Sequence, residues 1–160
     1  MNISRFRAAA VVGLCGILLA AAPLSAQFEF QADVMSKYIW RGFDLYWNNN
    51  PAFQPSLTYS FGESGFSVNV WTSFALGERE FYKDYDEIDL TLDYAFSLSD
   101  NVDMSVGFIQ SGYYFGGKDV YKEATTQEFY VSAGLPNAFL APNLTVFYDV
   151  NVGSGLYVML

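Results

Sequence analysis

A two-residue alternation of apolar and polar side chains begins at Phe28 and recurs to the end of the chain. It is plainest over residues 87–98, where isoleucine, leucine, tyrosine and phenylalanine alternate with acids and small residues. Successive side chains of a strand point to opposite faces, so each such segment predicts a strand with one apolar and one polar face. Seven segments follow this pattern, and an eighth begins at Leu156. The predicted strands span residues 28–41, 53–61, 66–76, 87–98, 102–108, 128–135 and 144–152.

The first 26 residues have the composition of a secretory signal peptide. Arg5 and Arg7 precede an apolar run over residues 8–22, and the small side chains of Ser25 and Ala26 suit cleavage after Ala26. The run of about 15 residues is shorter than the ~20 that a membrane-spanning helix needs. The sequence therefore predicts export, with a mature domain over residues 27–160.

Composition excludes several classes of function. Cys15 is the single cysteine, and it leaves with the predicted signal peptide. The mature chain keeps six Lys and Arg against 17 Asp and Glu, a net charge of −11 that disfavours nucleic-acid binding. The chain has no histidine, which removes Ser-His-Asp catalysis and histidine metal sites. We therefore expect neither an enzyme nor a protein that carries a cofactor or a metal.

Charged side chains fall on only one face of the predicted strands. The apolar positions carry no Asp, Glu, Lys or Arg, whereas the opposite positions carry ten. An antiparallel up-and-down transmembrane β-barrel of the bacterial outer membrane has this pattern, because its outer face contacts lipid and its inner face lines a polar lumen. The predicted lumen-facing charged residues are Glu29, Asp33, Lys37, Arg41, Glu87, Asp89, Asp93, Asp103, Glu128 and Asp149.

Aromatic side chains gather near the strand ends, as in the two aromatic girdles of an outer-membrane barrel. Phe30 and Tyr38 are eight residues apart, which is roughly 26 Å along a strand at ~3.3 Å per residue. A tilt of ~40° reduces this to about 20 Å of height, close to the ~25 Å apolar band of such barrels. The predicted girdle residues are Phe28, Phe30, Tyr38, Trp40, Phe53, Tyr59, Phe61, Phe66, Phe74, Tyr94 and Phe96.

The predicted connections alternate between short and long. Residues 62–65 and 99–101 form tight turns, whereas residues 43–52, 77–86 and 115–126 form longer loops. Because outer-membrane barrels have short periplasmic turns and long outer loops, the first strand is expected to run outward from the periplasm.

Residues 36–42, Ser-Lys-Tyr-Ile-Trp-Arg-Gly, are similar to the first-strand motif of the TorF-like porin family. Residues 87–90, 128–131 and 147–149 resemble later strand motifs of that family. The resemblance covers most of the mature chain and implies a Gram-negative outer-membrane barrel with porin-like transport of small solutes. Its implied partners are outer-membrane lipid, periplasmic chaperones and the barrel assembly machinery. It also implies a longer barrel, so we expect a C-terminal truncation, the alternative being a small barrel of eight strands.

Three functions remain open at this point. The first is a passive pore, with a mild cation preference because acids outnumber Lys37 and Arg41 in the predicted lumen. The second is a non-conducting structural or adhesive barrel whose outer loops bind a partner. The third is a soluble exported β-sandwich, which alternates in the same way. The predicted loop contact residues of the adhesive barrel are Tyr46, Trp47, Asn48, Asn49, Asn50, Phe81, Tyr82 and Tyr85.

Lys37 and Arg41 are expected to pair with inward acids, with a constriction of the pore as the alternative role. Asp89 and Asp93 lie four residues apart on one face, roughly 13 Å, which exceeds the ~5–10 Å between glycosidase carboxylates. Asp84, Asp86, Glu87 and Asp89 form an acidic cluster without the spacing of a calcium loop, so we interpret it as a solvated loop end.

Overall fold

The computed structural model describes residues 27–46, 50–77, 86–114 and 125–160. The described residues form ten strands and no helix. These strands are β1 (Phe28–Met35), β2 (Ile39–Trp40), β3 (Phe43–Asp44), β4 (Ala52–Ser60), β5 (Phe66–Ala75), β6 (Asp86–Ser99), β7 (Val102–Tyr114), β8 (Thr126–Gly134), β9 (Asn143–Asp149) and β10 (Leu156–Met159).

Eight of the strands form one antiparallel sheet in the order β1-β4-β5-β6-β7-β8-β9-β10. Each strand pairs with the next strand of the sheet along the chain, and β2 and β3 form a separate two-stranded sheet. All-β architecture, antiparallel pairing and the presence of an eighth strand from Leu156 are therefore confirmed. The tight turns after β4 and β6 follow from the short polar segments that the sequence places there.

The register aligns the apolar positions of all eight strands. Val70 of β5 lies opposite Leu90 of β6, and Val106 of β7 lies opposite Val131 of β8. Directly opposed residues of an antiparallel pair share a face, so the sheet has one continuous apolar face and one continuous polar face. Asp86, at the first position of β6, is the charged residue of the described sheet strands that has the apolar-face parity.

Burial is inverted relative to a water-soluble protein. On the polar face, Glu87, Glu128 and Asp149 are at most 9 % exposed, whereas on the apolar face Phe30 and Val34 are each 70 % exposed. Soluble monomers rarely expose a contiguous apolar patch larger than a few hundred Å². The polar face is thus covered around Glu87, Glu128 and Asp149, whereas Glu29 and Asp103 on the same face are exposed.

Three features differ from the sequence predictions. The prediction of one strand over residues 28–41 is wrong, because β1 ends at Met35 and the chain bends at Ser36 and Lys37. The fifth predicted strand is longer than expected and reaches Tyr114. The sheet is open rather than closed into a barrel, because no backbone pairing joins β1 to β10 among the described residues.

Several predictions concern residues that lie outside the described ranges. They are the signal peptide over residues 1–26, the loop residues Trp47, Asn48, Asn49, Phe81, Tyr82 and Tyr85, and Asp84 of the acidic cluster. In the part of the chain that the structure does describe, no helix has the length and apolar composition needed to cross a bilayer.

Candidate functional site: the hairpin on the polar face

Residues 36–46, the hairpin segment, leave the sheet after β1 and fold over its polar face. Ile39 and Trp40 pair with Asp44 and Phe43 around a two-residue turn. Both turn residues have positive φ, 50° at Arg41 and 90° at Gly42. This is the pattern of a type I′ hairpin, whose twist matches that of its strands. Glycine adopts it freely, whereas Arg41 is in a region that costs a residue with a Cβ about 1–2 kcal/mol.

Arg41 is fixed in this turn by a two-pronged ion pair with β8. Its Nη1 and Nη2 donate to Oε1 and Oε2 of Glu128, each over 2.7 Å. The side chains are only 15 % and 6 % exposed. A bidentate guanidinium–carboxylate pair combines charge with fixed geometry. The pairing predicted for Arg41 with an inward acid is therefore present, with a partner 87 residues away in the chain.

The guanidinium of Arg41 is also surrounded by aromatic rings. Its Cζ atom lies 4.3 Å from the ring centroid of Trp40, 4.9 Å from that of Phe147 on β9 and 4.2 Å from that of Tyr157 on β10. A cation within about 6 Å of an aromatic ring is attracted by the ring quadrupole, most strongly where water is excluded. The tip of the hairpin segment is thus held against β8, β9 and β10.

The base of the hairpin segment packs on the same polar face at β5, away from the strands that hold the tip. Tyr38 packs on Tyr46 and on Trp71 of β5, at centroid distances of 5.3 and 5.6 Å. The hydroxyl of Tyr46 donates to the backbone oxygen of Ser73 at 2.8 Å. With Ala52 and Ala75, the two tyrosines form the apolar cluster on this side of the sheet. The segment therefore bridges the polar face from β5 to β10.

A cavity of about 520 Å³, the hairpin cavity, lies between this segment and the sheet. Trp40, Tyr38 and Trp71 contribute aromatic surface to its wall, and Lys37, Gln54 and Asp89 contribute polar groups. Oδ1 of Asp89 is inaccessible to solvent and has no hydrogen-bond partner among the described residues. Small-molecule sites have about this volume, about 300–1,000 Å³, and this mixture of apolar wall and few polar groups.

The register places all eight predicted lumen acids on the polar face. Asp33 lies opposite Gln54, Asp89 opposite Trp71, and Glu128 opposite Asp149. The same parity holds for Glu29, Asp93, Asp103 and Glu87. The prediction that Lys37 and Arg41 belong to the first strand is wrong, because the chain bends at residues 36–37 and places both in the hairpin segment.

Asp93 is held by a tyrosine that crosses the polar face. Tyr130 of β8 donates from its hydroxyl to Oδ2 of Asp93 at 2.5 Å. Its ring lies over Gly107 of β7, where a Cβ would be only 2.4 Å from the ring carbon Cζ. Because Gly107 has no side chain, the ring of Tyr130 can lie across β7, and its hydroxyl reaches Asp93 on β6.

The aromatic residues predicted as girdles divide into two groups. At the turn end of the sheet, ring contacts at 4.5–5.6 Å form two runs, Phe28–Tyr59–Phe61 and Phe66–Tyr94–Phe96. At the opposite end, Phe53 stacks on Phe74 at 6.5 Å. The prediction of Tyr38 and Trp40 as girdle residues is wrong, because the hairpin segment places both on the polar side of the sheet. Tyr38 contacts Trp71 there, and Trp40 contacts Arg41.

The hairpin segment is the feature that the sequence pattern concealed. Its residues continue the alternation of β1, so they read as one long strand. Two signals mark the break: the apolar Met35 and Ile39 occupy polar-face positions, and Gly42 follows Arg41 at a turn. Within the described residues, no three His, Cys, Asp or Glu side chains are placed to hold a metal ion.

The structure thus defines an all-β protein built on one antiparallel meander sheet, with a hairpin over its polar face. A family model described as "Bacterial protein of unknown function (Gcw_chp)" matches residues 20–153. The chain belongs to this family. No curated protein and no solved structure matches it significantly.

Proposed function

We propose that this sheet is part of the wall of an outer-membrane β-barrel that lets small solutes pass, with the hairpin segment as a constriction. The observation that carries the proposal is the inverted burial. Glu87, Glu128 and Asp149 on the polar face are covered, while a continuous apolar face is exposed over eight strands. Lipid is the surrounding in which an exposed apolar face and a buried polar face are both stable.

Strand length supports a membrane location. Five of the eight sheet strands are long: β4, β5 and β8 have nine, ten and nine residues, and β6 and β7 have 14 and 13. The strands at the two edges are shorter, with eight residues in β1, seven in β9 and four in β10. A strand tilted by ~45° needs about 9–11 residues to cross a bilayer. The longer pair would project beyond the membrane at the loop end. Phe66 and Phe74 lie eight residues apart on β5, which matches the height between two girdles at ~3.3 Å per residue and ~40° tilt.

Two polar side chains on the apolar face near the loop end, Gln110 and Gln127, are neutral and bonded to each other. Gln127 donates to Oε1 of Gln110 at 2.7 Å, and Gln110 donates to the backbone oxygen of Thr126 at 3.2 Å. Such pairing lowers the cost of an amide that faces hydrocarbon. The free edges of β1 and β10 need partners in the membrane, because unpaired backbone groups are costly there.

The soluble sandwich fits less well. A sandwich covers the apolar face of one sheet with a second sheet. The described residues form a single large sheet, and their two-stranded sheet lies over the polar face. The adhesive barrel differs from the pore only in conduction, so current through planar bilayers that contain the full chain tests the proposal. Absence of any current from the inserted protein would contradict the pore.

The first prediction concerns location. The protein should be recovered from the outer membrane, cleaved after Ala26, and should migrate faster in unheated than in heated detergent gels, because a closed strand network resists detergent until it is heated. Cell fractionation, N-terminal sequencing and paired heated and unheated lanes make the measurement. Recovery as a soluble periplasmic monomer would overturn the membrane proposal and favour the sandwich.

The second prediction concerns charge selectivity. Because Glu128 is neutralised by Arg41, the polar face of the sheet keeps seven acids. Lys37 and Asp44 of the hairpin segment cancel, so the excess is seven negative charges among the described residues. Acidic side chains in a pore lower the energy of cations, although salt screens this field within about 8 Å at physiological ionic strength. The reversal potential in a salt gradient should therefore show a mild cation preference that weakens as salt rises.

A paired substitution on β1 tests the source of this preference. Glu29→Gln with Asp33→Asn should reduce it, because both acids lie on the polar face. Glu63→Gln, which removes one charge from the turn after β4, is the control and should leave the preference nearly unchanged. An anion preference of the wild-type chain would contradict the acidic lumen.

A further inference from the structure

We propose that the hairpin cavity binds a neutral saccharide. This inference goes beyond passive conduction, because it assigns a recognition site to one wall of the sheet. It depends only on the arrangement of the hairpin segment over β4, β5 and β6, and it does not require the sheet to conduct. The argument rests on the size of the cavity, its aromatic wall and the balance of its charges.

The aromatic wall favours a ligand with flat apolar faces. Trp71 of β5 and Trp40 of the hairpin segment both line the cavity, together with Tyr38. Arg41 covers one face of the Trp40 ring, at 4.3 Å. Trp71 is only partly buried and is held by Tyr38 at a tilted angle of 55°. Aromatic side chains provide a large, rigid contact surface with little loss of conformational entropy on binding. A pyranose ring presents its C–H groups as a matching flat surface.

The polar groups of the cavity favour hydroxyl groups as their partners. Asp89 lines the cavity with a carboxylate group, whose Oδ1 atom is itself enclosed by protein. Gln54 of β4 also lines the cavity, and its amide nitrogen donates to the hydroxyl oxygen of Ser73 on the neighbouring strand β5 at 3.2 Å. Lys37 lines the cavity with a donor that carries a positive charge. A ligand hydroxyl can donate to a carboxylate oxygen and can accept from an amide or an ammonium group. A polyhydroxyl ligand can satisfy donors and acceptors together.

The balance of charges disfavours ionic ligands. Lys37 and Asp89 line the same cavity, so an organic cation meets the lysine and an organic anion meets the aspartate. A site discriminates against a ligand by leaving charges unpaired or repelled. A neutral ligand avoids both penalties. The volume of about 520 Å³ lies within the range of small-molecule sites, about 300–1,000 Å³.

Tryptophan fluorescence measures binding directly. The chain has three tryptophans, and two of them line the cavity. The full chain, with Trp47→Phe to remove the third emitter, is titrated with maltose, cellobiose and sucrose. The micelles are of lauryldimethylamine oxide, because maltoside detergents carry a saccharide themselves. We expect a saturable change in emission with at least one of these sugars, and no saturation with choline or citrate at equal concentration.

Two near-isosteric substitutions locate the site. Asp89→Asn removes the charged acceptor, and Gln54→Leu removes the amide while keeping most of the volume. Each should weaken sugar binding about tenfold, because a hydrogen bond to a buried or charged partner contributes roughly one order of magnitude. Asp103→Asn is the matched control, because Asp103 is exposed on the same polar face at the turn end. The sugar-binding curve of this variant should match that of the unsubstituted chain.

The outcomes separate this inference from the pore. Saturable sugar binding without conductance would support the site and contradict the pore, and conductance without sugar binding would do the reverse. A preference for choline or citrate would overturn the neutral-ligand assignment. Unchanged affinity in a folded Asp89→Asn or Gln54→Leu variant would also overturn it. If one of these variants does not fold, as judged by gel migration without heating, the other decides.

Discussion

Leu90→Arg is expected to destabilise the protein in a membrane by about 2–4 kcal/mol, the cost of a basic side chain on the lipid face near mid-bilayer. Leu90 lies on the apolar face of β6, opposite Val70 of β5, and is 41 % exposed. Its position is halfway between the level of Phe66 and Tyr94 at the turn end and the level of Phe74 at the loop end. Urea unfolding in lipid vesicles, followed by tryptophan emission, measures the change.

The neighbouring position supplies the control. Thr91→Arg introduces the same charge one residue later, on the polar face, where Asn69 is opposite and Asp89 and Asp93 lie nearby. It should leave stability in vesicles nearly unchanged. If Leu90 instead faced water, as it does in the described sheet taken alone, the substitution would change stability by no more than ~0.5 kcal/mol. Equal, small effects of the two arginines would therefore contradict the membrane location.

The sequence predicts the sheet well wherever alternation and sheet pairing agree. In β6, acids alternate with isoleucine, leucine and aromatic residues, so strand, faces and length can all be predicted. Prediction fails on β7 beyond Phe108, because Ile109 and Gln110 reverse the expected parities. Their backbone groups nevertheless pair with β6 and β8, since a ladder once started continues while both partners remain extended.

The site is less predictable than the sheet because its contacts join distant parts of the chain. The alternation puts Glu128 on the polar face but cannot say that Arg41 reaches it. The period of two also cannot show that residues 36–37 bend, since Tyr38 and Trp40 keep the parity of β1 while leaving its sheet. Only Gly42, with φ of 90°, carries a local signal of the turn. The hairpin cavity, bounded by both parts of the chain, was therefore absent from the sequence predictions.

If the sheet forms the proposed pore, local strain and distant contacts at Arg41 would set the balance between a docked and a released hairpin segment. The positive φ of Arg41 costs about 1–2 kcal/mol, and the ion pair with the stacked rings offsets it only while the tip is docked. In the proposed barrel, a docked tip would obstruct the polar side of the sheet between β5 and β10. A released tip would leave that passage open, so the state of Arg41 would set the conductance.

Arg41→Asn is therefore expected to raise the conductance and to lower the stability of the docked hairpin. Asparagine tolerates positive φ, so the turn can persist while the guanidinium is removed. The change leaves Glu128 buried without its partner, and breaking a buried ion pair costs about 3–5 kcal/mol. At 1.4 kcal/mol per factor of ten, even the lower figure shifts the ratio of released to docked hairpin roughly a hundredfold. Single-channel recording in planar bilayers measures the current.

Glu128→Gln and the double variant show whether the effect belongs to the pair. Glutamine keeps the size of Glu128 but not its charge, so it should raise the conductance less than Arg41→Asn while the stacked rings still hold Arg41. In the double variant the two effects should be less than additive, because each substitution removes the same interaction. Fully additive effects would mean that the two side chains do not act as a pair. An unchanged conductance in Arg41→Asn would mean that the hairpin segment does not obstruct the passage.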